Sequence, residues 1–171
     1  AKNDYKAAVI QLKNALQKQP DSPEGRYLLG LSLLRTGDAQ AAEIELRKAR
    51  DLKHPDDQVV PGLAQALAQQ GKSKQLIADF ASTRLGTPAA NAELQVALAS
   101  AYEAERNPKA SREALQAALT AQPDNSAAAL MQIRQKLAAG DVEGGASQLE
   151  AVLAKDPSNP EAWKLKVARV A

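Results

Sequence analysis

The chain has 171 residues, of which 44% are apolar, 25% charged and 3% aromatic, and it carries a formal net charge of +2 with no cysteine. A chain of this length and composition suits one folded domain, and the absence of cysteine excludes disulfides, cysteine-ligated metal sites and a cysteine nucleophile. The nearly balanced charge is not typical of a nucleic-acid-binding surface, and no apolar run approaches the roughly 20 residues that a transmembrane helix needs.

Apolar residues recur at the spacing of an α-helix through ten consecutive segments. Leu28, Leu31 and Leu34, for example, follow one another at intervals of three residues, and no segment has the strict alternation that is typical of a β-strand. The predicted helices cover residues 4–18, 23–36, 39–52, 59–70, 73–84, 88–105, 108–121, 126–139, 142–154 and 160–170. We therefore predict an all-α fold.

Several helix boundaries are marked by residues with known capping behaviour. The side chain of Ser, Thr or Asn at the N-cap accepts a hydrogen bond from the first turn. A proline at the first helical position loses no hydrogen bond, because the N–H it lacks would have no partner there. This pairing precedes four helices, which begin at Pro23, Pro88, Pro108 and Pro160. Glycine after the last turn adopts the left-handed conformation that lets the next helix fold back antiparallel. The glycines at this position are Gly37, Gly71 and Gly140.

Two segments depart from the regular helical pattern. Pro61 removes a hydrogen bond from a helix interior at a cost of about 3 kcal/mol, so we predict that its helix starts late, near Val60. Gly144 and Gly145 lie inside another predicted helix, where each glycine costs about 1 kcal/mol relative to alanine. This pair marks either a frayed or tightly packed stretch of helix or a hinge.

Similar segments recur about every 34 residues along the chain. Pro–Asp at Pro20 and Pro55 returns at Pro123, and repeats that start at Pro23, Asp57, Ala92, Ser126 and Pro160 are 34 or 35 residues apart. This period resembles the tetratricopeptide repeat, whose antiparallel helix pairs stack into an α-solenoid. The resemblance implies a single array of about five repeats with half-repeats at both ends. Its units are the half-repeat 1–22, the repeats 23–56, 57–91, 92–125 and 126–159, and the half-repeat 160–171.

A more specific resemblance is carried by residues 1–18, followed by the segments 57–61, 85–89 and 92–95. These are similar, in the same order, to the opening repeats of the tetratricopeptide-repeat lipoproteins of the bacterial PEP-CTERM/exosortase system. The resemblance implies a piece of a longer array in a periplasmic or outer-membrane lipoprotein that faces the periplasm and accompanies exopolysaccharide assembly. A cytoplasmic location is the alternative.

The sequence offers no set of side chains suited to catalysis or metal binding. His54 is the one histidine, so a histidine-based triad or a multi-histidine metal site has no partners, and we expect a solvated histidine in a turn. Asp56 and Asp57 stand at a helix start, where carboxylates cap free N–H groups and favour the helix dipole. We therefore predict no enzymatic activity, no metal and no cofactor.

A stack of helix pairs leaves a concave face, lined by the first helix of each pair, that commonly holds partner segments. We take the family's second, fifth, ninth and twelfth repeat positions as inward-facing. The candidate partner-binding residues at these positions are Tyr27, Leu31, Leu34, Gln65, Val96, Ser100, Glu103, Leu130, Arg134 and Lys164. Others on the same face are Glu24, Gln58, Ala68, Glu93, Leu137 and Glu161. The run from Tyr27 to Leu34 has a second interpretation, since it is equally suited to packing against helix 4–18.

These features predict a non-enzymatic protein–protein interaction scaffold whose groove binds a protein or peptide segment. The first alternative is self-association through the terminal helices 4–18 and 160–170, because each has lost a partner helix. The apolar residues expected on their outer faces are Val9, Leu12, Leu16, Trp163, Val167 and Val170. The second alternative is direct binding of a polysaccharide, which would require a basic or aromatic groove.

Overall fold

A computed structural model of the chain describes the backbone of residues 2–170 and the side chains of residues 4–168. Residues 1 and 171, at the outer ends of the two predicted half-repeats, and the side chain of Val170 lie outside this part. Within it the chain forms ten helices and no strand, so the all-α prediction is confirmed. The helices are α1 Lys2–Lys18, α2 Pro23–Thr36, α3 Ala39–Asp51, α4 Asp56–Gln69, α5 Ser73–Phe80, α6 Pro88–Ala104, α7 Pro108–Ala121, α8 Ser126–Ala138, α9 Val142–Lys155 and α10 Pro160–Val170.

The helices form two layers. In the first layer α2, α4, α6, α8 and α10 each contact the next member. In the second layer α3, α5, α7 and α9 pack on first-layer helices, and in the described part of the chain their backbones do not approach one another closely. Long side chains bridge them, as where Arg47 on α3 lies 3.2 Å from Asp79 on α5. Because neighbouring helices lie closer together on the inner side of a curved array, the first layer lines the concave face. This is the predicted α-solenoid of helix pairs.

Side-chain caps start the helices at the predicted places. Ser22, Thr87, Asn107 and Asn159 each accept a hydrogen bond from the backbone N–H three residues further on, at 3.0–3.2 Å. The backbone φ is positive at the three glycines predicted to end helices, with values of 91° at Gly37, 69° at Gly71 and 86° at Gly140. A side chain at such a φ would be strained, so glycine permits these turns at little cost.

The predicted late start of α4 is wrong. The helix begins at Asp56 and continues through Pro61. The carbonyl of Pro55 accepts hydrogen bonds from the N–H groups of Gln58 and Val59, so a full turn forms ahead of the proline. Val59 and Val60 are completely buried, and their burial offsets the one hydrogen bond that Pro61 cannot donate.

The fifth helix is shorter than the predicted 73–84, since α5 ends at Phe80. The segment 81–87 instead forms a loop that folds back on α6. Leu85 is buried there, and Asn91 accepts a hydrogen bond from its N–H at 2.7 Å and donates one to its carbonyl at 2.5 Å. An apolar pattern does not reveal this clamp, because it depends on the polar side chain of Asn91, six residues further on. The other helix bounds agree with the predictions to within two residues.

The core is divided in two. One apolar cluster runs from Leu16 to Ala128 at the start of α8, and a smaller cluster joins Leu130, Ile133 and Leu149 with three neighbours. We call α1–α7 the N-terminal block and α8–α10 the C-terminal block.

Glutamines occupy the junction of the two blocks. Gln135 Nε2 donates to Glu103 Oε1 at 2.7 Å and to Ser111 Oγ at 2.8 Å, and Gln148 Nε2 donates to Gln132 Oε1 at 2.7 Å. The side-chain oxygens of Gln135 and Gln148 are buried and lack a hydrogen-bond partner among the described residues. An open cleft of about 500 Å³ lies beside Gln148, and its lining also includes Leu119 and Lys155. The junction is therefore more polar and less closely packed than the core on either side.

The Gly144–Gly145 pair is a tightly packed stretch of helix. Helix α9 runs through both glycines. Asp141 caps it by accepting a hydrogen bond from Gly144 N at 2.9 Å. A Cβ on Gly145 would lie 2.7 Å from Leu137 Cδ2, and one on Gly144 would collide with the Asp141 carboxylate. Of the two predicted alternatives, close packing explains the glycines and a hinge within α9 does not.

The terminal helices differ from the expected outward-facing pattern. Leu16 is buried, and Val9 and Leu12 are half-buried against the core, because the apolar side of α1 packs on α2. The prediction that these three residues face outward is therefore wrong. On α10 the prediction is confirmed for the two residues whose side chains are described, Trp163 and Val167, which are 45% and 65% exposed.

Candidate functional site

The N-terminal part of the concave face is built around Tyr27. This half-buried side chain stacks on the ring of His54, with centroids 4.5 Å apart and an angle of 23° between the planes. His54 Nε2 lies 2.9 Å from Gln58 Oε1. His54 lies in the predicted turn, but the prediction that it is fully solvated is wrong, because it is half-buried and links α2 to the first turn of α4. Its place in the turn between two helix pairs, one residue before Pro55, was the available signal.

Apolar and polar candidates share this face. Leu31 on α2 and Val96 on α6 are half-buried and pack against the N-terminal core. Gln65 on α4 and Ser100 on α6 are exposed. The first layer thus presents a strip with apolar side chains at its base and short polar side chains beside them.

Two candidates are not available on this surface. Leu34 is 5% exposed and Leu130 is 7% exposed, and each belongs to one of the two core clusters. Their assignment to the partner-binding face is corrected. Groove residues and core residues lie on the same apolar side of a first-layer helix, so position within the repeat does not tell them apart. Which of them are buried depends on how the adjacent helices pack.

Acidic side chains border the strip. Burial, and to a lesser degree the negative charge of Glu93, raise the pKa of Tyr27. Tyr27 lies on α2 and Glu93 on α6, the two first-layer helices that pack on either side of α4. Glu24 is exposed in the first turn of α2, and Glu103 accepts a hydrogen bond from the neutral side chain of Gln135.

At the other end of the face the charges are paired. Arg134 Nη2 on α8 lies 3.1 Å from Glu161 Oε2 on α10, and Lys164 Nζ lies 2.6 Å from Glu161 Oε1. The hydrogen bond and charge of Lys164, aided by Arg134, lower the pKa of Glu161. Both basic candidates thus share one carboxylate. Arg134 and Glu161 are 27 residues apart on the first helices of consecutive repeats, and no signal in the sequence shows that they meet.

Within the described side chains, no group of three or more His, Cys, Asp or Glu residues is arranged to hold a metal ion. None of the helices in the described part combines the length and apolar character that crossing a membrane would require.

Comparison with known proteins agrees with the repeat architecture. A family model described as tetratricopeptide repeat matches residues 1–57 and 130–167, which is more than half of the chain, and a second model with the same description matches residues 92–125. The segment 58–91, outside these matches, contains Pro61 and the short α5. Comparison with curated proteins gave no match. The structure is similar to that of MamA, residues 41 to the end, from Desulfovibrio magneticus RS-1, with a TM-score of 0.69 at 21% sequence identity over 91% of this chain and 88% of that chain.

Proposed function

Because the chain belongs to the tetratricopeptide repeat family, we propose that it is a non-enzymatic scaffold whose concave face binds a segment of a partner protein. The observation that carries this proposal is the strip on α2, α4 and α6, where half-buried Tyr27, Leu31 and Val96 adjoin exposed Gln65 and Ser100. A surface of this kind supplies apolar contact area together with hydrogen-bonding groups.

The test is capture of partners from an extract of the producing organism by the immobilised chain. The double variant Gln65→Arg and Ser100→Arg places two large side chains in the strip, and both positions are exposed, so the fold should persist. The matched control is Ile44→Arg, because Ile44 is an exposed residue on the second-layer helix α3. The proposal expects a partner that the double variant loses and the control keeps. A partner that is lost by Ile44→Arg but kept by the double variant would contradict the proposal.

We further propose that this scaffold belongs to a bacterial cell-envelope assembly linked to exopolysaccharide export and the exosortase system, as a periplasmic or outer-membrane lipoprotein. The support is the resemblance of residues 1–18, 57–61, 85–89 and 92–95 to that lipoprotein family. Fractionation of the producing cells should recover the protein with the envelope. Recovery in the cytosolic fraction would contradict this location.

Self-association through α10 is a second candidate function. Trp163 and Val167 lie one helical turn apart on its exposed face. Trp163 is held in place by a hydrogen bond from Nε1 to the carbonyl of Pro157 at 2.7 Å and by Lys166 Nζ, 5.1 Å from the ring centroid. The variant Trp163→Gln with Val167→Gln should then sediment as a smaller species than the unmodified chain. Equal sedimentation of the two chains would exclude α10 as the interface. Polysaccharide binding, the remaining alternative, is not favoured, because Arg134 and Lys164 are already paired with Glu161.

A further inference from the structure

We propose that the partner segment held by the N-terminal part of the concave face is cationic, with Lys or Arg beside an apolar residue. The inference rests on the proposed function and specifies the chemistry of its ligand. The surface concerned, called the acidic strip below, comprises Tyr27, Leu31 and Val96 with Glu24, Glu93 and Glu103.

The carboxylates of the acidic strip have no cation of their own. Glu24, Glu93 and Glu103 are exposed on α2 and α6 and form no ion pair with any described residue. Two basic side chains close to the Tyr27–His54 stack are engaged elsewhere. Arg26 pairs with Glu45 at 2.7 Å, and Arg50 pairs with Asp56 at 3.0 Å. Arg106 and Arg112 line an open pocket with Glu103 at one edge of the face. The uncompensated negative charge of the strip therefore lies at Glu24 and Glu93, where a positively charged segment would neutralise it.

The other end of the face does not compete for such a segment. Arg134 and Lys164 share the single carboxylate of Glu161, which leaves one positive charge in excess, so this end does not attract a cation. A cationic segment is thus attracted to α2–α6, and an anionic segment finds no unpaired cation among the candidate residues of the face. The difference in charge between the two ends of the face therefore indicates a positively charged partner segment, bound at α2–α6.

The apolar centre of the strip is already in place before binding. Tyr27 is fixed by its stack on His54, and Leu31 and Val96 rest against the core. Side chains that are immobile in the free protein lose little conformational entropy when a partner binds. An apolar residue flanked by Lys or Arg would cover this centre and bring its charges to the carboxylates on either side.

Selection from a random peptide library tests the inference without knowledge of the natural partner. Phage-displayed 12-residue peptides are selected on three proteins of equal thermal stability: the unmodified chain, the triple variant Glu24→Gln, Glu93→Gln, Glu103→Gln, and a control. The control is Glu113→Gln, Glu143→Gln, Glu150→Gln, which removes three exposed carboxylates from the second-layer helices α7 and α9.

The expected result is that peptides selected on the unmodified chain and the control are enriched in Lys and Arg. Such a peptide should bind the triple variant about tenfold more weakly, and raised salt should weaken its binding to the unmodified chain. Peptides that are lost with Gln65→Arg and Ser100→Arg but are not enriched in basic residues would overturn the inference and leave the proposed function standing. If no selected peptide depends on Gln65 and Ser100, both fail.

Discussion

The N-terminal and C-terminal blocks are built from the same helix pair, yet they are packed differently. The N-terminal block contains many large, completely buried side chains, such as Leu46, Leu63 and Phe80. In the C-terminal block, the large side chains buried to this degree are Ile133 and Leu149. The surfaces differ in parallel, because the concave carboxylates of the first block are unpaired and the charges of the second are joined in one cluster.

This difference indicates that the two blocks of the array have different stabilities and different binding surfaces. In a repeat protein, stability is close to a sum of the stabilities of the units and of the interfaces between neighbours. Glutamines at the junction weaken one of those interfaces. We therefore expect α8–α10 to open at lower free energy than α1–α7, while the more stable block presents the acidic strip.

Shortening a buried side chain in each block should show most clearly that the two blocks differ in stability. Leu46→Ala removes a completely buried side chain that packs against Gly30 and Gly62, and we expect a loss of about 3 to 4 kcal/mol from the main unfolding transition. Leu149→Ala should leave that transition in place and lower the stability of α8–α10 alone. Urea unfolding followed by circular dichroism distinguishes the two, and an equal effect of both substitutions on one transition would show that the blocks unfold as a unit.

Acid should destabilise the N-terminal block through Glu43. Burial alone would raise the pKa of this carboxyl, but hydrogen bonds from Lys72, Gln70 and Arg47 outweigh it and lower the pKa to about 2. The folded pKa lies below the ordinary value of about 4.5, so the stabilisation is complete above that pH and is lost as the pH falls from about 4.5 to 2. The stabilisation amounts to about 3 kcal/mol.

In Glu43→Gln, the free energy of unfolding should therefore fall less steeply as the pH is lowered from about 4.5 to 2, the part of the pH profile called the acid limb below. Glu161→Gln, at the exposed carboxylate of the C-terminal block, is the matched control and should leave the limb of the main transition unchanged. Unfolding by urea between pH 2 and pH 6 measures both. A retained acid limb in Glu43→Gln would contradict the assignment.

Two glycines in close contact with leucine should respond differently to alanine. A Cβ on Gly30 would lie 2.5 Å from Leu46 Cγ, and because Leu46 is completely buried it has no room to move, so we expect a loss of about 1 to 3 kcal/mol. At Gly145 the neighbour is Leu137, which is half-buried at the edge of the C-terminal cluster and can shift at lower cost than Leu46. There the gain in helix propensity, about 1 kcal/mol, should offset the clash. Thermal unfolding of the two variants checks this difference, and a larger loss from Gly145→Ala would reverse it.

The smallest effect is expected at the junction itself. Gln148→Leu removes a buried oxygen that has no described partner and adds apolar surface to a cleft that Leu119 and Val152 also line. We expect a gain of about 1 kcal/mol in the stability of α8–α10. Hydrogen exchange of the α8–α10 amides should slow, while Gln116→Leu on the exposed side of α7 should not change it. Faster exchange in Gln148→Leu would mean that its bond to Gln132 matters more than the unpaired oxygen.

Local patterns predicted the helices well, and tertiary packing determined what they missed. Ser22, Thr87 and Gly37 act at short range, so their effects can be predicted from neighbouring residues. The start of α4 depended on burial of Val59 and Val60 by other helices, which outweighs the local penalty at Pro61.

The same distinction holds for the candidate site. Repeat position placed Tyr27, Leu31 and Val96 on the first-layer helices, where they are partly accessible. It did not exclude Leu34, because burial of that side chain depends on the neighbouring helices. Nor could it predict the shared pairing at Glu161, because Arg134 and Glu161 are 27 residues apart and repeat position does not show how neighbouring first-layer helices stack.

The most direct test of the account is to map where a partner segment binds. A ¹⁵N-labelled sample of this 18.1 kDa chain can be titrated with a peptide from the library selection and followed by backbone amide chemical shifts. The account predicts that the largest changes lie on α2, α4 and α6, at Leu31, Gln65 and Ser100, with little change at Ile44 or on α8–α10. Changes concentrated on the second-layer helices, or around Trp163 on α10, would contradict the claim that the concave face of the N-terminal block is the binding surface.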